Sequence, residues 1–182
     1  GINPLNLLFS STADVFRQNS IGLLLTGIGS DGAEGLADIR KASGVTLAQT
    51  GLGSVHVLAS PLGAFYPVPH GIVCGTLLAV ATASNICALE ARMPNSPALE
   101  KYARVGRRLA GRDVPDRESA LAALVEILTE WSERLDIPRL GGYGMTAGDI
   151  SGIAAAAVVS GMKTNPLPLT EEETAELLSQ RL

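Results

Sequence analysis

GLGSVHVLASPLGAFYPVPHGIVCGTLLAVATASN, running from Gly51 to Asn85, decides how the rest of the chain is read. It holds the only two histidines of the molecule, His56 and His70, fourteen positions apart. No Asp, Glu, Lys or Arg occurs from Ser43 to Leu89. A window that long without charge belongs in a core, in a bilayer or against a partner. Val55, Ala59 and Leu62-Gly63 fall with Leu52 on one helical face, and His56 and Ser60 lie one turn apart on a neighbouring face. Pro67 and Pro69 break the chain, and Pro69-His70-Gly71 opens a second helix of about twenty residues. A divalent metal takes neutral imidazoles or carboxylates that converge from several segments. Spacing alone favours a structural role for each histidine; a metal role requires the Pro-rich turn to fold the two rings together.

A membrane reading fails on composition. Gly71 to Leu89 is uncharged and close to the roughly 20 residues that span a bilayer, but it contains Cys74, Gly75, Thr76, Thr82, Ser84, Asn85 and Cys87. It has no basic flank at its start and no aromatic belt at its ends. A core helix of a bundle fits better.

The totals set the outer bounds. A chain of 182 residues suffices for one good core or a domain with a satellite. Net charge −4 and pI near 5.2 give no sign of the basic footprint that nucleic-acid binding needs. Hydrophobic content of 46% with mean hydropathy +0.26 argues for an ordered chain. Cys74 and Cys87, on one helix, would be separated by roughly 20 Å of rise, too far for a disulfide, which needs about 7 Å or less. Both are expected reduced and in the core of a cytoplasmic protein. The N-terminus has no signal-peptide pattern, and a start at Gly1 rather than Met leads to the expectation of a fragment or a processed chain.

Ahead of the uncharged window, residues 4–17 form a helical pattern with Leu5, Leu8, Val15 and Phe16 on the apolar face. Ile21 to Leu25 reads as a buried strand entering a glycine turn, Ala33 to Ala42 as a helix with Leu36 and Ile39 inward, and Val45 to Leu47 as a second strand. Together they make a parallel βαβ unit whose sheet is too small to stand alone. Gly27-x-Gly29-x-x-Gly32 matches a dinucleotide fingerprint, yet Asp31 sets a carboxylate where pyrophosphate would sit, and no acidic residue follows the second strand. The plainer role for Asp31 is to cap the helix from Gly32.

Behind the window, Ser96-Pro97 starts a helix to Leu109 by cap and first-turn proline. Its Lys101, Arg104, Arg107 and Arg108, with Arg112 beyond, form a solvated basic face. Asp116 caps a long helix to Leu135 with Leu121, Leu124, Leu128 and Trp131 inward. Thr146-x-x-Asp149 and Thr170-x-x-Glu173 are capping boxes for the last two helices. Lys163 stands beside a turn, where solvent is its expected surrounding.

Two family resemblances divide the chain. Residues 1–49, through NPLNLLFSSTADVFRQNSIGLLLTGIGSDGAEGLADIRKASGVTLAQ, resemble the last third of the catalytic domain of the chemotaxis protein-glutamate methylesterases. Asp31, in TGIGSDGAEGL, matches the aspartate that orients the catalytic histidine there, and Ile28 stands where that family has Met. No nucleophile-serine segment or partner histidine precedes it, and a triad with one member does no acyl chemistry.

Residues 49–182 resemble the C-terminal part of the iron-containing alcohol dehydrogenases. GLGSVHVLASPLGAFYPVPHG is similar to that family's GLGxxHxxxHxLGAxxxxxHG signature, and TNPLPLT from Thr164 to Thr170 to its late NPRPLT segment. The resemblance places His56 and His70 on the two histidines that ligate the divalent metal, Fe2+ or Zn2+. Ser60 stands where many members have a further histidine near the substrate. The family's nucleotide-binding domain and the Asp and His that complete the ligand set lie upstream in its members, and no D-x-x-x-H precedes Gly51 here.

The expectations are therefore a mainly α chain: an α/β segment over 1–49 and a helical metal-binding bundle over 50–182. The resemblance implies metal-dependent, NAD(P)-linked oxidoreduction of a small alcohol or aldehyde in an intact member, with this chain inactive alone. Alternatives are a non-catalytic helical binding or assembly module and a remnant of a methylesterase fusion. No catalytic residue is assigned. An apolar surface is expected where the nucleotide-binding domain docks, able to drive self-association into a homo-oligomer.

Overall fold

Apolar residues at helical spacing, punctuated by capping residues and prolines, make the chain mainly helical. Residues 4–24, 32–48, 53–111, 113–160, 162 and 165–182 are described in a computed structural model. The elements run α1 (Pro4–Phe16), β1 (Ile21–Leu24), α2 (Ala33–Lys41), β2 (Val45–Ala48), α3 (Ser54–Phe65), α4 (His70–Arg92), α5 (Pro97–Ala110), α6 (Arg117–Arg134), α7 (Ile150–Ser160) and α8 (Glu171–Ser179). They group into two compact units, Gly1–Gly51 and Leu52–Leu182.

In the smaller unit, β1 and β2 pair in parallel with Ile21 opposite Val45, as a βαβ unit requires. The α1 face differs from the expected one. Ala13 is buried, with Leu5 and Phe9 packed beside it against Leu36 and Ile39 of α2, whereas Leu8, Val15 and Phe16 are exposed. Leu5, Phe9 and Ala13 recur every four residues, which keeps one stripe along a helix. The Asn6 side chain accepts from the Gly35 N–H and Ser10 donates to Asp38 at 2.8 Å, pinning α1 to α2. The described N-cap of α2 is Gly32, without a side-chain cap; Asp31 and the rest of the glycine turn from 26 lie outside the described residues.

In the larger unit, α3 packs on α4 and α7, α4 also on α5, α6 and α8, α5 on α6, and α7 on α8. Leu58 and Leu62 of α3, Leu77 of α4, Ala154 of α7 and Leu177 of α8 meet in one core. At the α5–α6 crossing a Cβ on Gly106 would strike the Ala120 carbonyl, so only glycine lets the helices come this close. Gly111, at φ 62, then ends α5 in the left-handed conformation that favours glycine. The expected caps are in place: Ser96 accepts from the Ala98 N–H, Asp116 from the Ser119 N–H, and the boxes at Thr146 and Thr170 are both formed.

α4 is long and apolar enough to cross a bilayer by length and composition, with a mean hydropathy of 1.9, but 56% of that stretch is buried in the protein's own interior. It is a core helix. Three expectations are corrected by its neighbours and by α6. Cys87 is exposed rather than in the core, and both cysteines are free. Trp131 is 41% exposed because the stripe through Leu121, Leu124 and Leu128 continues into Ser132, whose hydroxyl donates to the Leu128 carbonyl. Gly63 is exposed while Leu62 beside it is buried.

Candidate metal centre

His56 occupies the first turn of α3 and His70 is the first residue of α4. Between them Tyr66 leaves the helix in an extended conformation. The Val68 N–H returns to the Tyr66 carbonyl at 2.8 Å, and Val68 itself is buried. Pro69 then caps α4, its carbonyl accepting from the Ile72 and Val73 amides. This proline bend brings the two imidazoles together, with ring centroids 5.3 Å apart and planes at 74° in an edge-on arrangement.

The two rings sit in different surroundings. His70 is exposed and His56 half-buried. The Nδ1 atom of His56 is sealed from solvent and has no hydrogen-bond partner. A buried ring nitrogen without a partner is uncommon and marks a place for a missing ligand or proton carrier. Burial, and secondarily the charge His70 can carry, hold His56 below the ordinary imidazole pKa, so the ring is kept neutral, the form that binds metals. One turn along α4, the Cys74 sulfur lies 3.4 Å from His70 Nε2. Burial raises the Cys74 pKa, which keeps a thiol there able to donate weakly to the imidazole.

The pair fits a divalent cation as two of its protein ligands: adjacent imidazoles, with His56 Nδ1 unsatisfied. Among the described residues no group of three His, Cys, Asp or Glu side chains is placed to hold a metal ion. Ser60 is exposed on α3, and Lys163 lies outside the described residues. Sequence reasoning missed the Cys74–His70 contact, although its signal, an i to i+4 spacing, was present. It also missed a buried polar cluster behind α3, where Asn85 and Asn165 bond each other at 2.6 Å, because isolated asparagines carry no periodic signature.

Two families match this chain, and their matches overlap from residue 33 to residue 57. The description "Fe-containing alcohol dehydrogenase family, C-terminal" matches residues 33–182. The chain belongs to the Fe-containing alcohol dehydrogenase family. Within it, lactaldehyde reductase of Escherichia coli K12 is 32% identical over 152 residues, covering 81% of this chain and 37% of that protein. The crystal structure of a 1,3-propanediol oxidoreductase superposes with a TM-score of 0.62 at 26% identity, covering 84% of this dehydrogenase-family chain and 37% of that one. At the other end, the CheB methylesterase family matches residues 2–57. A protein-glutamate methylesterase/protein-glutamine glutaminase of Symbiobacterium thermophilum is 42% identical over 50 residues, 14% of its own length. The chain thus spans little more than a third of its oxidoreductase relatives and a small part of the methylesterases.

Proposed function

We propose that residues 50–182 form the metal-binding domain of an NAD(P)-linked alcohol or aldehyde oxidoreductase, with His56 and His70 as two ligands to Fe2+ or Zn2+, and that 1–49 is a separate α/β segment. The observation that carries this is the contact between the two rings across the Pro67–Pro69 bend, with His56 Nδ1 unsatisfied. When bound, the cation would supply Lewis-acid polarisation of an alcohol or aldehyde oxygen, with His56 and His70 as two of the residues holding it. This chain's share is narrower. α3 and α4 present two adjacent imidazoles, and the buried surroundings of His56 keep protons from competing for its own ring nitrogen. The proline bend fixes the separation. The nicotinamide site is assigned to residues outside the helical bundle, so the 182-residue chain alone is expected to give no NAD(P)-dependent alcohol turnover.

Metal analysis of the purified chain tests the reading. Stoichiometric iron or zinc, lost in both His56→Ala and His70→Ala, is the expected result. A second reading, a helical binding module without chemistry, draws on the absence of a third ligand among the described residues. A chain that takes up neither metal at neutral pH would favour it and sink the first.

A further inference from the structure

The first turn of α3 has an unusual means of support. A helix leaves its first amides without intrahelical partners, and a side chain at the N-cap normally serves them. Here the N-cap is Gly53, which has no side chain to offer. The missing acceptor comes from 111 positions away: Asn165 Oδ1 takes the Ser54 N–H at 3.2 Å, and the bond is buried. Ser54 is the first residue of α3, two positions before His56.

Asn165 is itself fixed from two sides. Its amide nitrogen donates to Asn85 Oδ1 on α4 at 2.6 Å and to the Leu167 carbonyl at 2.7 Å. Asn85 in turn reaches the Ser54 hydroxyl at 3.5 Å and the Tyr102 hydroxyl on α5 at 3.4 Å. Ser54 is fully buried and Asn85, Tyr102 and Asn165 nearly so. Low-dielectric networks of this kind are stiff when satisfied and costly when broken. The His56 ring, by contrast, has no hydrogen bond at Nδ1 to orient it. Its place relative to His70 is therefore inherited from the backbone of the turn it stands on.

We propose that Asn165 is a positioning residue for the histidine pair: by capping α3 from the loop before α8, it sets where His56 stands relative to His70. The proposal rests on the metal reading above. Groups bonded directly to ligating side chains typically carry about 10- to 100-fold of metal affinity; Asn165 acts through the Ser54 amide instead, and the lower end of that range is the effect assigned to it.

Two readouts on the intact 182-residue chain test it: calorimetric titration with Zn2+, and long-range 1H–15N spectra of the imidazoles, which report only His56 and His70. Asn165→Ala is expected to weaken Zn2+ binding about tenfold or more and to shift the His56 ring resonances in the metal-free protein. Tyr102→Phe removes another arm of the same network without touching α3. It is expected to lower the Tm while leaving Zn2+ affinity and the His56 resonances in place. Ser54→Pro deletes the capped N–H itself at a helix position that suits proline, so it reproduces the loss if Asn165→Ala does not fold. Unchanged affinity and resonances in the folded variant that lacks this bond would overturn the assignment, as would an equal loss in Tyr102→Phe. If the wild-type chain takes up no Zn2+, the metal reading falls by itself. The metal-free His56 resonances then still decide the positioning claim: moved by loss of the bond, they sustain it, and unmoved, they end it.

Discussion

The two units of this chain solve the problem of burial on very different scales. The larger gathers Leu58, Leu62, Leu77, Leu177 and Leu178, all with no exposure and drawn from α3, α4 and α8, into one cluster. Among the described residues, the smaller encloses Ala13, Leu36 and Ile39, with Leu5, Phe9 and Ala42 beside them, and leaves Leu7, Leu8, Val15 and Phe16 of α1 more than half exposed. Apolar area removed from water supplies the main force for folding. A two-stranded sheet under one pair of helices gives little of it. Folding autonomy should therefore belong to residues 53–182, with the smaller unit contributing little to the cooperative transition.

The largest expected effect is in the core. Leu58→Ala should cost about 2–5 kcal/mol in urea unfolding followed by far-UV circular dichroism, and a smaller loss would mean that α3 packs less tightly than described. A sharper contrast comes from one change made in both units. Gly106→Ala forces a Cβ into the α5–α6 crossing and should cost about 1–3 kcal/mol or more of the main transition. Gly35→Ala puts a Cβ 2.7 Å from the Asn6 carbonyl oxygen and 2.6 Å from Phe9 Cβ. It should leave the main transition where it is and raise amide exchange in α1 and α2 instead. If Gly35→Ala lowered the main transition as Gly106→Ala does, the two units would be folding as one.

The smallest effect concerns pH. The Ser119 amide, donating to Asp116 at the start of α6, holds that carboxyl below its ordinary pKa. A carboxylate depressed on folding stabilises above its unfolded pKa of about 3.9 and loses that contribution as pH falls through its lowered value. Asp116→Ala should therefore lower the Tm by a few degrees at neutral pH, and thermal scans in progressively stronger acid should show the difference closing. A gap of constant size would assign the effect to something other than the ionised cap.

Much of this was legible in the sequence, and the reasons are specific. The capping residues Ser96, Asp116 and Thr170 declare helix starts because their chemistry is local. Leu121, Leu124 and Leu128 declare a face because 3.6-residue periodicity is all that such a stripe needs. The proline bend that unites His56 and His70 was visible as Pro67 and Pro69, although the meeting of the rings is a tertiary fact. What spacing could not supply is the choice between near-equivalent neighbours: Trp131 or Ser132 inward, Phe9 or Leu8 against α2. Those choices depend on which helix lies opposite. The Asn165–Ser54 cap was invisible for the same reason, since nothing local announces a bond between residues 111 positions apart.

The unequal situation of the two cysteines along α4 has a practical consequence. Cys74 is partly buried beside His70, with its thiol pKa raised by burial, whereas Cys87 is exposed. A maleimide dye should therefore attach selectively at Cys87, seventeen residues and about 25 Å of helix rise from His70. A fluorophore so placed would have its emission quenched by a coloured ion such as Cu2+ arriving at the histidines, turning α4 into a ruler for the occupancy of the site.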